Sequence, residues 1–95
     1  MFPVHPGGTL RDELEARGLT AKILAQAIGV PVGRVADVVN ARRAISPDTA
    51  LRLGLFFGNG ADFWIGLQAQ YDIAKARKAL GKRLDREVRP LRRAA

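Results

Sequence analysis

Apolar side chains recur along this chain at steps of three and four, and no sustained alternation marks a strand. The pattern predicts an all-α chain. A first helix runs from Pro6 or Thr9 to Arg17: Pro6 suits a first helical position, and Thr9 could instead cap it, with Asp12 three residues on. Leu10 and Leu14 share one face of it, and Gly18 ends it. Thr20 is a good N-cap for a second helix, whose expected buried stripe is Ile23, Leu24, Ala27 and Ile28 before a turn at Gly29. Pro31 opens a third helix, with Val35, Val38 and Val39 facing inward. Ser46-Pro47 opens a fourth, in which Leu51, Leu55 and Phe56 or Phe57 are expected to bury before Gly58-Asn59-Gly60. A fifth starts near Ala61 with Phe63, Leu67 and Tyr71 four residues apart. It is open to continuing past Gly81, although a glycine costs about 1 kcal/mol in a helix interior; Pro90 ends any helix there.

The second and third helices, Leu24 to Asn40, have the dimensions of a helix-turn-helix. The second helix of such a unit can enter the major groove of DNA, about 12 Å wide. With the valines inward, Val32, Gly33, Arg34, Ala36, Asp37 and Ala41 face outward. Small residues around one arginine allow a close approach to bases. Arg34 can donate two hydrogen bonds to guanine, Asp37 can accept from cytosine, and Val32 can meet a thymine methyl. Thr20, Lys22, Asn40, Arg42 and Arg43 flank that face and suit phosphates. The helix N-termini at Thr20 and Pro31 add backbone donors. The same spacing also describes two ordinary helices of an all-α core.

Charge sharpens the picture. The net charge is +7, yet residues 1–74 hold seven basic and seven acidic groups. The whole excess lies in residues 75–95, with nine basic and two acidic groups. This divides the chain into a neutral domain, 1–74, and a basic extension, 75–95, as expected of a protein that meets a polyanion. Ile73, Leu80, Leu84 and Leu91 form a sparse seam along the extension. Pairing with another helix, folding on nucleic acid and a solvated, disordered tail all remain open for it.

With 47% hydrophobic residues the chain is not compositionally disordered, and 95 residues suffice for one modest core. It has no cysteine and one histidine, which excludes disulfides, cysteine nucleophiles and the usual zinc sites. No metal, cofactor or catalytic residue is expected. Asp12, Glu13 and Glu15 suit a solvated first turn, and neither glycine cluster carries a phosphate-loop ending. No run approaches the ~20 apolar residues of a membrane span, and no secretory leader is visible, so a soluble cytoplasmic protein is expected. His5 is expected in the N-terminal cap rather than as a pH switch. Phe63 and Trp64 are expected to lock the fifth helix rather than stack a base, and Tyr71 suits either a core or a dimer face.

Several stretches together carry a resemblance. They are His5-Pro6-Gly7, Arg17-Gly18-Leu19-Thr20, Leu24-Ala25, Gly29-Val30, Val35, Asn40, the run Ile45 to Leu53 (ISPDTALRL), Phe63-Trp64, Leu67-Gln68 and Tyr71-Asp72. Over residues 5 to about 74 the chain resembles the HigA-type antitoxins, a branch of the XRE (lambda-repressor-like) helix-turn-helix family. The resemblance implies a five-helix lambda-repressor-like domain, a homodimer, repression of its own operon at a double-stranded DNA operator, and neutralisation of a ribonuclease toxin. It places Val32, Gly33, Arg34 and Asp37 at base-reading positions. It places Ala21 and Lys22 at the head of the second helix, beside the DNA backbone. There are three departures. Ala21 stands where the family often has a DNA-touching glutamine. Ala41 stands where an Asn-Gly pair usually ends the third helix, so a shifted turn before Arg42 is expected. The extension lies outside the match; its charge suits nucleic acid, or a solvated tail, better than a toxin that is itself basic. A regulator without a toxin, and a module that chiefly binds protein, are the alternatives.

Overall fold

The computed structural model describes residues 3–92. Residues 93–95, including Arg93 of the basic extension, lie outside the described residues. Among the described residues there are six helices and no strand: α1 (Gly7–Ala16), α2 (Ala21–Ile28), α3 (Val32–Val39), α4 (Pro47–Phe57), α5 (Ala61–Leu80) and α6 (Arg83–Glu87). α4 packs along α5, α2 against α3 and α4, and α1 against α3. One core of Leu10, Leu14, Leu24, Ala25, Ile28, Val35, Val38, Ile45, Ala50, Leu53 and Trp64 joins the first five helices.

Most helix boundaries follow from local chemistry. Thr20 Oγ1 accepts from the Ile23 amide at 3.1 Å, and Ser46 Oγ accepts from the Thr49 amide at 3.2 Å with Pro47 behind it. Gly29 and Gly58 end α2 and α4 in the left-handed conformation that glycine adopts without a Cβ clash. α1 begins at Gly7, so Thr9 lies inside the helix and caps nothing. The free Gly7 amide is satisfied instead by His5 Nδ1 at 2.9 Å. Gly7 itself is required by packing: a Cβ there would collide with the Val38 carbonyl oxygen at the end of α3.

Three buried stripes differ from the expectation. In α2 the inward residues are Leu24, Ala25 and Ile28, while Ile23 and Ala27 are exposed. In α4 Thr49, Ala50, Leu53 and Gly54 face the core; Leu51 is 59% and Leu55 87% exposed. The reason is the crossing of α4 with the start of α5, where a Cβ on Gly54 would run into the Gly60–Ala61 backbone. So close a crossing selects the small-residue face over the leucine face. In α5 the buried pair is Trp64 and Gln68, with Phe63 exposed and Leu67 and Tyr71 half-buried. Trp64 is fully buried and donates from Nε1 to Asn59 Oδ1 at 2.8 Å, so it locks the helix as expected. Gln68 accepts from the Ile45 amide at 2.8 Å and donates to Asp72 at 3.0 Å, satisfying a buried backbone group that would otherwise be orphaned.

The fifth helix does not continue past Gly81, which takes φ +53°. A short α6 follows with no buried residue, giving the molecule an extent of 55 × 25 × 22 Å. The basic extension is therefore helical for much of its described length and stands away from the core.

Candidate nucleic-acid interface

α2, the turn at Gly29 to Pro31, and α3 form the expected helix-turn-helix. Val35 and Val38 are buried and Val39 half-buried, which fixes the rotation of α3 about its axis. Val32 and Gly33 are consequently exposed on its first turn, with nothing within 4 Å of a Cβ position on Gly33. Arg34 and Asp37 follow on the same side, both half-buried. The structure thus brings Val32, Gly33, Arg34 and Asp37 together on one side of α3.

Neither charged member of the face stands alone. Arg34 Nη1 donates to Asp48 Oδ1 on α4 at 2.9 Å. Asp37 pairs at 3.5 Å with Arg43, itself one of the flanking cations. Asp48 also accepts from Arg52 Nε at 2.8 Å, and Arg52 Nη1 in turn donates to the Ile28 carbonyl at 2.8 Å. A carboxylate on α4 therefore joins α3 to the last turn of α2. The Arg52 hydrogen bond, with Arg34 behind it, holds the Asp48 carboxyl below the usual carboxylate range. The sequence did not single out Asp48 and Arg52 as neighbours of this face. Their spacing at i and i+4, negative before positive, was the available signal.

The flanking residues divide. Lys22, Arg42 and Arg43 are exposed. Thr20 is exposed, but its hydroxyl is used as the cap of α2. Ala21 is half-buried and packs against the core. Asn40 accepts from Arg11 Nη2 at 3.3 Å, which ties the end of α3 to α1.

The turn before Arg42 is not shifted, contrary to the expectation. Ala41 takes φ +59°, the Arg42 amide donates to the Asp37 carbonyl at 2.7 Å, and the Ala41 amide donates to the Val38 carbonyl at 3.0 Å. This is the glycine-type helix ending formed with an alanine: the two backbone bonds hold the turn in spite of the Cβ. His5 lies next to this loop, with its ring 4.9 Å from Tyr71. Burial lowers the His5 pKa, against the opposing effects of a hydrogen bond with the Arg43 backbone and the charge of Asp72.

Among the described residues no group of three histidines, aspartates or glutamates is placed to hold a metal ion, and no helix is long and apolar enough to cross a membrane.

Known proteins share the fold. The HTH_3 helix-turn-helix family matches residues 10–64, from α1 into the first turn of α5. Virulence-associated protein I of Dichelobacter nodosus is 43% identical over 77 residues, covering 80% of this chain and 71% of that protein. The structure of an addiction module antidote protein of the HigA family from Coxiella burnetii superposes with a TM-score of 0.91 at 43% identity, covering 96% of this chain and 100% of that one. Antitoxin HigA of Pseudomonas aeruginosa, solved with the higBA promoter, superposes with a TM-score of 0.89 at 43% identity over 95% of this chain and 99% of that one. Both superpositions reach well into the basic extension. The chain belongs to the helix-turn-helix family and, within it, to the HigA antitoxins.

Proposed function

We propose that this protein is a cytoplasmic, dimeric, sequence-specific repressor of its own operon and the antitoxin of a ribonuclease toxin. One observation carries the reading: the exposed α3 face belongs to a fold shared along nearly its whole length with an antitoxin solved on its promoter. In this reading α3 enters the major groove. Arg34 reads a guanine, Asp37 favours a cytosine, and Val32 with Gly33 lets the backbone come close. Lys22, Arg42 and Arg43 neutralise phosphates. Thr20, Ala21 and Asn40 set the edges of the contact through backbone and small polar groups. Residues 1–74 carry sequence recognition and residues 75–95 add affinity through charge.

The test is Arg34→Ala in the full chain, assayed for affinity at every base position of the selected site. A loss of about 1–3 kcal/mol confined to one base pair is expected; unchanged affinity and preference would remove α3 from the base-reading role. The antitoxin role is checked by co-expression with the neighbouring reading frame, where a stable complex on size exclusion is expected.

A second reading, that the protein chiefly binds protein, is favoured by one observation. Ile23, Leu51, Leu55 and Phe56 are all exposed apolar side chains on α2 and α4. Binding to a protein partner without any preference among DNA sequences would select it.

A further inference from the structure

Arg34 is the residue on which the proposed base reading most depends, and the structure shows what holds it. Ordering a long flexible side chain at the moment of binding costs free energy, and a side chain free to take other poses can reach other base edges. Arg34 already has a partner in the free protein. It spends Nη1 on Asp48 Oδ1 at 2.9 Å, and the hydrogen bonds of the described residues leave its Nε and Nη2 unused. A guanidinium has five donors in a rigid fork, so a single-point hold on one nitrogen leaves others for a base edge. Asp48 is itself fixed by Arg52 at 2.8 Å, and Arg52 by the Ile28 carbonyl at 2.8 Å and the Gly29 carbonyl at 3.5 Å. Asp48 is 57% exposed, so the anchor lies on the surface, at the edge of the face it serves.

We infer that Asp48 is a positioning residue for base recognition: through its bond to Nη1 it presets the Arg34 guanidinium on α3 for guanine. The inference rests on the reading of Arg34 given above. The chain Arg34–Asp48–Arg52–Ile28 makes the setting of that guanidinium depend on the α2–α4 contact as well as on α3. The Asp48 carboxyl is ionised throughout the neutral range even at the ordinary aspartate value, and Arg52 and Arg34 lower it further, so the hold does not titrate there.

Two simpler roles make opposite predictions. If Asp48 merely offset a cation near phosphates, removing it would tighten binding to every sequence alike. If it merely stabilised α4, removing it would lower the melting temperature and weaken all sequences alike. A positioning role instead alters preference at one base pair.

The experiment measures the full chain, Arg34→Ala, Asp48→Ala and Asp48→Asn against a library of single-base variants of the selected operator, at one salt concentration, with melting temperatures in parallel. Expected is a loss of discrimination, roughly 5-fold or more, for Asp48→Ala at the same base pair that Arg34→Ala affects, with the other positions unchanged. Asp48→Asn keeps an oxygen for Arg34 without the charge and should fall between. An equal gain or equal loss across all sequences for Asp48→Ala, with the preference at that base pair intact, overturns the inference while leaving Arg34 as the reader. No effect of Arg34→Ala at any base pair overturns the reading and the inference with it.

Discussion

His5 shows how one side chain serves several elements. Its Nδ1 accepts from the Gly7 amide at the start of α1, and its ring meets Tyr71 of α5 edge-on. Protonating Nδ1 would end the first of these contacts. Burial lowers the folded pKa below the ordinary 6.5, so the unfolded chain takes up the proton first as pH falls. Stability contributed by neutral His5 is therefore complete above about pH 6.5 and is lost as pH drops through that value toward the folded pKa. Urea unfolding between about pH 7.5 and 5.5 should show this decline in the natural chain and a flatter profile in His5→Gln. The histidine's place in the cap was legible in the sequence, because His5 is a lone histidine just before Pro6 and the first helix. Its contact with Tyr71 was not, since nothing local links residues 66 positions apart. The same limit hid the pairing of Arg34 with Asp48, although both residues lie in stretches the sequence marks out.

At the scale of the element, helix ends were easier to read than helix faces. Thr20, Gly29, Ser46, Pro47 and Gly58 act through their own backbone or that of near neighbours, so spacing along the chain is enough. Choosing a buried face needs the partner. α4 carries a leucine face and a small-residue face, and only the approach of Gly60 decides for the latter. α2 and α5 have the same ambiguity between adjacent apolar rows. The end of α3 is a different case. The resemblance to the HigA-type antitoxins sets Ala41 apart as a departure, and the structure places the cost in the backbone dihedral, not in a moved turn. A left-handed alanine is disfavoured by about 1–2 kcal/mol, partly offset by the larger unfolded-state entropy of glycine. Ala41→Gly should thus stabilise the protein by about 1 kcal/mol, raising its melting temperature by roughly 4–8 °C. A lower melting temperature would show that the turn is not strained by this side chain.

Across the whole molecule the division of charge is the main organising feature. The neutral helical body presents α3, while α5 continues beyond it to Leu80 and α6 follows among cations. The basic composition of this part was plain in the sequence; its helical order and the break at Gly81 depend on three-dimensional structure. If the extension meets phosphates, replacing Lys82, Arg83, Arg86 and Arg89 by glutamine should flatten the salt dependence of DNA binding by up to ~0.9 in log–log slope per lost contact. The preferred sequence should stay the same. A changed preference would place the extension in sequence reading. The central claim, that a pair of α3 helices reads an operator, is tested most directly by selecting bound sites from random duplex DNA with the full-length protein. The account predicts a two-fold symmetric consensus with half-site centres one helical turn apart, about 34 Å. Recovery of DNA without any consensus, or with a single unsymmetric site, would contradict it.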